Sequence, residues 1–277
     1  MLATMILNFT KMQGLGNDFI VFEADDAHLL SAEQLRKLSN RRTGIGFDQA
    51  LIIQSPKRAD TDVYYRNYNA DGSEVEQCGN GARCIATLVA AQRGQKSLRM
   101  DCLGGLVHAQ VRDDGQVSID MGVPNFDPAS LPFLADAISN QYTLDVNGIS
   151  HSIGAVSMGN PHAVLTVSDV ANAPVDSLGA LIEVHRRFPN RVNVGFMKIV
   201  SRDEINLRVF ERGVGETQAC GTGACAAVAI GRKRGELDET VKVNLPGGQL
   251  LISWQGEGQR LWMTGPATRV FVGQVEI

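Results

Sequence analysis

Two cysteines in this sequence each open a glycine-bearing loop that leads into an apolar segment. Residues 78–81 read Cys-Gly-Asn-Gly and residues 220–223 read Cys-Gly-Thr-Gly, and alanine-rich segments follow both. Good helix formers continue as far as Gly94 and Gly235, and glycine commonly ends a helix. A helix N-terminus carries partial positive charge, so it lowers the pKa of a thiol and can hold a carboxylate. The pattern therefore predicts two buried helices, each with a thiol at an anion-binding N-terminus.

The two loops belong to an internal duplication. Cys78 and Cys220 are 142 positions apart, Asn17 and Asn160 are 143 apart, and a Gly-Gly pair recurs at residues 104–105 and 247–248. Landmarks in the same order at nearly one offset indicate two copies of about 140 residues. We expect two pseudo-symmetric domains, residues 1–122 with 267–277 and residues 123–266, with the active site in the cleft between them.

The elements that must position these loops are short. Many strand-like segments and few helices predict an α+β fold. Gln49 to Gln54 and Glu204 to Glu211 are typical of the strands. Ser31 to Gln34 carries a capping-box pattern that predicts a short helix, and Pro174 to Val184 is typical of a helix with proline in its first turn.

Composition and charge indicate an ordinary globular protein. The chain has 277 residues, a net charge of −4 and five cysteines. Its length suits two domains, and its charge favours neither nucleic acid nor a membrane as partner. An odd number of cysteines in a chain this long does not indicate a disulfide framework. Residues 1–7 are apolar but too few for a signal peptide and lack its basic flank, so we expect a protein of the reducing cytoplasm.

Duplication suggests a chemistry for the two thiols. A two-fold axis would place them on opposite faces of one small molecule, where one thiolate removes a proton and the other thiol returns one. Inversion of a stereocentre is the natural product of that arrangement. The α-carbon of an amino acid suits it, because two helix N-termini can stabilise the negative charge that develops on the carboxylate. Two such thiols titrate as a coupled pair.

Several longer motifs accompany the cysteine loops. They are residues 11–19, 44–49, 67–74 and 78–84 in the first half, and residues 158–162, 191–193, 210–217 and 220–225 in the second. With these motifs the chain resembles the diaminopimelate epimerase family of cofactor-independent amino-acid epimerases over nearly its full length. The cysteine loops alone would also suit proline racemase-like enzymes. Asn69, Asn193 and the pair Glu211-Arg212 favour the diaminopimelate branch.

The resemblance implies a function and a set of site residues. It implies interconversion of LL- and meso-2,6-diaminopimelate, for lysine and peptidoglycan synthesis, by a cytoplasmic homodimer that needs no cofactor or metal. It implies domains that are strongly curved, mostly antiparallel sheets around a central helix, with the C-terminal strand returning to the first domain. Cys78 and Cys220 would be the acid/base pair, with His162 and Glu211 tuning the thiols. The implied substrate-binding residues are Asn17, Gln49, Asn69, Gly79, Asn80, Asn160, Asn193, Glu211, Arg212, Gly221 and Thr222.

Other interpretations of these residues remain open. Both cysteines could form a thiol-redox pair, although the βαβ plan of thioredoxin-like enzymes is not evident, or the site could bind an amino acid without catalysis. An isomerase with one cysteine replaced is disfavoured because both are present. Cys84, Cys102 and Cys225 are interpreted as core residues. Neither C-x-x-C nor H-E-x-x-H occurs, so a metal site is not expected.

Overall fold

The computed structural model describes residues 6–277, and most of the apolar N-terminal stretch lies outside them. Two compact units make up the chain. Unit 1 consists of the residues up to Ile119 together with Gly265–Ile277, and unit 2 consists of Asp120–Thr264. Strands dominate and helices are few, so the predicted α+β class is confirmed.

Unit 1 holds the elements of the first repeat. Its strands are β1 (Ile6–Gly14), β2 (Asn17–Glu23), β3 (Gln49–Gln54), β4 (Val63–Asn69), β5 (Glu74–Val75), β6 (Ser97–Cys102), β7 (Gly105–Val111) and β8 (Val117–Asp120), the last of which ends at the boundary. Its helices are α1 (Ala32–Ser39) and α2 (Gly79–Arg93), with a short 3-10 turn at Asp26–His28. The predicted capping box is present, because Ser31 and Gln34 cap one another's backbone at the start of α1.

Unit 2 holds the second repeat. Its strands are β9 (Tyr142–Val146), β10 (Ile149–Ser157), β11 (Pro161–Thr166), β12 (Asn193–Ser201), β13 (Glu204–Glu211), β14 (Gly215–Thr217), β15 (Thr240–Leu245), β16 (Gly248–Trp254) and β17 (Leu261–Gly265). Its helices are α3 (Val175–Glu183) and α4 (Gly221–Lys233), with a 3-10 turn at Pro128–Ser130. Pro174 is the N-cap of α3, one position earlier than the predicted place in the first turn. The last strand, β18 (Thr268–Glu276), belongs to unit 1 and pairs antiparallel with β1.

The two units repeat one strand order. In unit 1 the neighbours run β18-β1-β2-β3-β4-β6-β7-β8, and β5 pairs with β4. In unit 2 they run β9-β10-β11-β12-β13-β15-β16-β17, and β14 pairs with β13. Strand β9 thus occupies in unit 2 the place that β18 occupies in unit 1. The duplication seen in the sequence thus recurs in the strand order of the two units.

Most strand neighbours are antiparallel, and the parallel ones explain where the helices lie. The parallel pairs within these two strand orders are β2–β3 and β4–β6 in unit 1, and β11–β12 and β13–β15 in unit 2. Parallel neighbours require a crossover connection, and each of the four helices lies in one of these crossovers. Helices α2 and α4 follow β4 and β13, which places both cysteine loops at equivalent points of the repeated sheet.

Helices α2 and α4 are the buried helices of their units. Residues 80–86 of α2 and 223–231 of α4 are buried throughout. Gly94 ends α2 in the left-handed conformation (φ 67°), as predicted. Gly235 has φ 74° one residue beyond the Arg234 cap of α4, so the predicted glycine stop is present there too. Such thorough burial requires small side chains, which explains the alanine-rich sequence of both helices.

One hairpin has no counterpart among the elements predicted from the sequence. Strands β9 and β10 pair antiparallel from Ile149 opposite Val146 to Ile153 opposite Tyr142. Asn147 and Gly148 form the turn between them, both with positive φ (54° and 79°). Asn-Gly between alternating apolar residues is the strongest short hairpin signal, so this element was readable from the sequence.

Candidate active site

Each of the two cysteine loops places its cysteine directly before a buried helix. Cys78 is the N-cap of α2 and Cys220 is the N-cap of α4, both with extended backbone. By helix geometry, the first N–H groups after each cysteine have no acceptor within the helix and point out of its N-terminus. Close packing holds both ends. A Cβ on Gly81 would lie 3.0 Å from Leu51, and one on Gly223 would lie 3.0 Å from Val209. A side chain at the fourth residue of either loop would press on a neighbouring side chain, which favours glycine there.

The Cys78 thiol lies beside two asparagine amides. Its Sγ donates to Oδ1 of Asn17 at 3.6 Å, and Nδ2 of Asn80 donates to the same oxygen at 3.5 Å. Cys78 is partly exposed, whereas the other four cysteines are buried. The thiol therefore has a neutral amide oxygen as an acceptor, and solvent can reach it.

A charged cluster lies behind Asn17. Nδ2 of Asn17 donates to Asp48 at 3.0 Å, and Arg41 donates to Asp48 at 2.7 Å and to both carboxylate oxygens of Asp18. Lys11 donates to Asp18 at 2.6 Å. Despite partial burial, hydrogen bonds from Arg41 and Lys11 hold the pKa of Asp18 well below its usual value. Asp18 is thus ionised. The charged cluster holds Asp48 in place, and Asp48 holds the side-chain amide of Asn17.

Gln49 and Asn69 form a second polar pair in unit 1. They are directly opposite one another at the ends of β3 and β4, and Nε2 of Gln49 donates to Oδ1 of Asn69 at 3.0 Å. Nδ2 of Asn69 donates to Ser73 at 3.2 Å. Oε1 of Gln49 is buried and has no hydrogen-bond partner among residues 6–277. A buried acceptor without a partner is costly, which makes this oxygen a candidate ligand contact.

The Cys220 thiol lies beside a carboxylate. Its Sγ donates to Oε2 of Glu211 at 3.2 Å, and Thr222 Oγ1 lies 3.6 Å from the sulfur. The hydroxyl of Thr217 donates to Oε1 of Glu211 at 2.5 Å and fixes the carboxylate. Burial first, and then the negative charge of Glu211, raise the pKa of the Cys220 thiol well above its ordinary value. Both effects favour the protonated thiol form of Cys220.

A histidine and an asparagine complete the surroundings of Cys220. Burial, followed by the nearby charge of Arg212, lowers the pKa of His162 to about 3, so its imidazole is neutral. Its Nε2 lies 2.9 Å from Oδ1 of Asn160, and the amide oxygen can only accept, so Nε2 carries the proton. Nδ2 of Asn160 then donates to Thr222 at 3.4 Å. Through Asn160, the histidine orients the hydroxyl nearest the thiol.

Asn193 and Arg212 lie next to this group. Asn193 is buried, donates to the carbonyl of Pro161 at 2.9 Å and accepts from the backbone N–H of Arg212 at 2.9 Å. Glu183 accepts from the N–H of Gly213 at 2.6 Å and holds the following turn. The Arg212 side chain is exposed and contacts the carbonyl of Asn190 at 3.3 Å. The exposed guanidinium of Arg212 thus extends from a backbone that Asn193 holds in place.

Known proteins resemble this chain over nearly its whole length. A family model described as diaminopimelate epimerase matches residues 9–126 and 154–270. The chain is 54% identical to the diaminopimelate epimerase of Pseudomonas entomophila over 99% of its own length and all of the relative's. The corresponding enzyme of Thioalkalivibrio sulfidiphilus is also 54% identical, again over 99% of this chain and 100% of the relative. The chain belongs to the diaminopimelate epimerase family. It is therefore an enzyme of the isomerase class.

Solved structures with low sequence identity share the fold of the family. A hydroxyproline epimerase from Agrobacterium vitis superposes with a TM-score of 0.70 at 16% identity, covering 98% of this chain and 93% of that one. A phenazine biosynthesis protein of the PhzF family from Bacillus anthracis gives a TM-score of 0.67 at 16% identity, covering 99% and 100%. At these identities the likeness concerns the fold alone.

Most of the residues expected from the diaminopimelate epimerase resemblance fall into two groups around the thiols. Asn17 contacts both Cys78 and Asn80, whereas Glu211 and Thr222 contact Cys220. Gly79 and Gly221 begin the two helices. Gln49 and Asn69 pair with one another rather than with a thiol, and His162 contacts Asn160.

Three residues of these groups were missed by the sequence reasoning. Asp48 orients Asn17, Thr217 holds Glu211, and Arg83 donates to Asn80 at 2.8 Å. Asp48 and Arg83 lie inside the quoted motifs, and Thr217 ends another, so proximity to a motif was the available signal. Asp48 lies 31 positions from Asn17, so no local pattern identifies that contact, whereas Arg83 and Thr217 lie three and six positions from their partners.

The remaining cysteines match the core interpretation. Cys84 and Cys225 are fully buried and Cys102 nearly so. Burial raises the pKa of Cys84 to about 12 and also raises the pKa of Cys102. No cluster of three or more His, Cys, Asp or Glu side chains within residues 6–277 could hold a metal ion. In that same part of the chain, no helix has both the length and the apolar character needed to cross a bilayer.

Proposed function

We propose that this protein interconverts LL- and meso-2,6-diaminopimelate by proton transfer between the α-carbon and two thiols. The observation that carries the proposal is the pair of cysteine N-caps at equivalent points of a duplicated sheet, in a member of the diaminopimelate epimerase family. Each half supplies one thiol and one helix N-terminus. No cofactor is needed, because the thiols make both proton transfers and the helix ends receive the developing charge.

The different surroundings of the thiols support an assignment of their first roles. Cys220, whose thiol form is favoured, acts first as the acid, and Cys78 acts as the base once it has lost its proton to solvent. In the step, the α-carbon–hydrogen bond breaks and an S–H bond forms at Cys78, while the Cys220 S–H bond breaks and a new carbon–hydrogen bond forms on the opposite face. The two thiols have then exchanged protonation states. The substrate of opposite hand uses the same groups in reverse.

The helix N-termini and amides supply binding. The N–H groups of Gly79, Asn80, Gly221 and Thr222 bind the α-carboxylate and stabilise the enediolate-like charge as it develops. At the distal centre, the exposed guanidinium of Arg212 suits a carboxylate, because it can donate two parallel hydrogen bonds. Oε1 of Gln49, which has no partner among residues 6–277, can accept from an ammonium group. Asn69 and Asn160 complete this set of polar contacts.

Solvent exchange tests the proposed function directly. Purified, reduced protein with LL-diaminopimelate in deuterium oxide and no added cofactor should replace the α-hydrogen with deuterium, which proton NMR measures. Cys78→Ala and Cys220→Ala should each lower the rate at least about 10³-fold, because each removes one proton-transfer group. The buried Cys102→Ser is the matched control and should retain activity. Absence of deuterium incorporation by the unaltered protein would refute the proposal. Proline in place of diaminopimelate tests the racemase alternative and should not exchange.

We also infer that the active protein is a cytoplasmic homodimer. The edge strand β18 supports the dimer, because Val270, Phe271 and Val272 are exposed on it, and exposed apolar strand edges favour pairing. Sedimentation velocity should give twice the chain mass, and Val272→Lys should shift it toward one chain mass. A monomeric unaltered protein would contradict the inference. Fractionation of cells that express the chain should place activity in the cytosol.

A further inference from the structure

A chain of hydrogen bonds between side chains runs past the Cys78 thiol from a guanidinium to a carboxylate. Nη2 of Arg83 donates to Oδ1 of Asn80 at 2.8 Å, and Nδ2 of Asn80 donates to Oδ1 of Asn17 at 3.5 Å. Nδ2 of Asn17 in turn donates to Oδ2 of Asp48 at 3.0 Å. The oxygen of Asn17 in this chain is also the acceptor of the Cys78 thiol.

The two ends of the chain dictate its direction. A guanidinium can only donate and a carboxylate can only accept, whereas an amide offers one oxygen and one NH₂ group. Turning Asn80 around would set its NH₂ against Arg83, and turning Asn17 around would set its oxygen against the Asp48 oxygen. Both reversed contacts are repulsive. The atom of Asn17 that faces Cys78 is therefore the carbonyl oxygen.

Both ends are held by further contacts. Nε of Arg83 donates to the carbonyl of Pro266 at 3.0 Å, and its guanidinium is fully buried. Asp48 accepts from Arg41 at 2.7 Å and from the backbone N–H of Asp18 at 3.1 Å. These contacts oppose any rotation of either end that would relieve a reversed amide.

Unit 2 shows that the backbone alone does not set this direction. Asn160, just before β11, is the repeat equivalent of Asn17, which begins β2. The amide oxygen of Asn160 faces His162, and its NH₂ group faces Thr222, which lies beside the Cys220 thiol. Cys225 stands in α4 where Arg83 stands in α2, 142 positions earlier. The same amide position thus takes the opposite orientation when its partners differ.

We propose that Asp48 is a positioning residue for Cys78, acting by holding the carbonyl oxygen of Asn17 toward the thiol. An acceptor facing sulfur favours the thiol and aims its S–H bond, whereas an amide NH₂ in the same place would favour the thiolate. Asp48 thereby sets how readily Cys78 gives up its proton before substrate arrives. This proposal rests on the proposed function only in taking Cys78 to be a proton-transfer group.

The test measures the thiol itself and not turnover. The rate of alkylation of Cys78 by iodoacetamide is followed against pH, with the modified peptide identified by mass spectrometry. Cys78 is the partly exposed cysteine, so it is the one the reagent reaches first. In Asp48→Ala only the long 3.5 Å contact from Asn80 still holds the oxygen of Asn17, so the amide can turn its NH₂ group to the thiolate. The apparent pKa of Cys78 should then fall by about one unit. Asp48→Glu, which restores an acceptor, should return the profile toward that of the unaltered protein.

Two further variants separate amide orientation from loss of charge. Asp18→Asn removes a carboxylate from the same Arg41 cluster without touching the Asn17 amide, and it should leave the Cys78 profile nearly unchanged. In an Asn17→Ala background, Asp48→Ala should produce no further shift, because no amide remains to turn. A shift of equal size in that background, or no shift in Asp48→Ala alone, would overturn the proposal. Deuterium exchange into diaminopimelate, measured separately, decides the proposed function whichever result is found.

Discussion

The two cysteine loops have the same backbone and different neighbours. Cys78 and Cys220 both cap buried helices, but Cys78 is partly exposed beside an amide and Cys220 is buried beside the carboxylate of Glu211. Asn69, at the end of β4, is the repeat equivalent of Glu211, at the end of β13. Duplication preserved the helix N-termini, which bind charge, and changed the side chains that set the protonation of each thiol. A two-base reaction requires one thiol to start with its proton and the other without, and these unequal neighbours favour Cys220 as the protonated one.

The largest expected effect on the difference between the two thiols comes from replacing Glu211, the carboxylate beside Cys220. In Glu211→Gln the negative charge beside Cys220 is lost, so the pKa of Cys220 should fall and the thiol should be alkylated at lower pH than in the unaltered protein. The turnover number should fall about 10- to 100-fold, because the acid that delivers the second proton is no longer matched to its task. Alkylation and epimerisation rates against pH measure the two effects.

Thr217→Val is the matched control for that change. It removes the hydroxyl that fixes Glu211 but keeps the carboxylate charge. The effect on the Cys220 pKa should therefore be smaller than in Glu211→Gln. Equal effects of the two substitutions would mean that the position of Glu211, and not its charge, governs the thiol.

The acid stability of unit 2 should depend on His162, which has the place of Phe19 in the repeat. Burial lowers the pKa of His162 from 6.5 to about 3, so between these values the unfolded chain takes up a proton that the folded chain excludes. Stability from the neutral histidine is complete above pH 6.5 and is lost as pH falls toward 3. At pH 5 the loss is about 2 kcal/mol. His162→Phe should therefore flatten the fall of the urea midpoint between pH 8 and pH 5.

An exposed histidine of unit 1 provides the control for the pH slope. His28 is exposed, so His28→Gln removes an imidazole without opening a buried site and shows how much of the slope follows from the loss of any histidine. If His162→Phe and the unaltered protein show the same slope, the imidazole of His162 is not buried neutral in solution.

The smallest expected effect concerns a feature that the halves share. Arg66 makes two parallel hydrogen bonds to Glu74 (2.8 and 2.6 Å), and Arg208 makes the same pair to Glu216 (2.6 and 2.7 Å). All four side chains are about a quarter exposed. Glu74→Gln and Glu216→Gln should each lower the free energy of unfolding by about 1 kcal/mol, measured by urea denaturation. A large difference between the two would show that the repeat is less symmetric than its strand pairing.

The fold was more readable from the sequence than the site. Strand β3 from Gln49 to Gln54, the capping box at Ser31 and the glycine that ends α2 all follow from local patterns, and each is present. These features depend on neighbours within a few residues. The hairpin of β9 and β10 was missed although Asn147-Gly148 marks its turn.

The polar partners of the thiols could not be read in the same way. Asn17 meets Asp48 across 31 positions, and Asn80 meets Asn17 across 63. Amide orientation depends on which partner donates and which accepts, and that is decided only when distant strands are brought together. The sequence motifs indicated which residues matter, whereas the structure indicates what each one contacts.

The most direct test of two unequal thiols follows deuterium in product and unreacted substrate separately. LL-diaminopimelate is incubated with the protein in deuterium oxide and sampled at a few per cent conversion, and the two isomers are separated and analysed by mass spectrometry. The two-thiol account predicts deuterium in the newly formed meso isomer and none in the remaining LL isomer, because the incoming proton comes from a different thiol than the one that removed the old proton. Deuterium entering the remaining LL isomer as fast as meso isomer forms would show that a single base acts on both faces, and it would contradict the account.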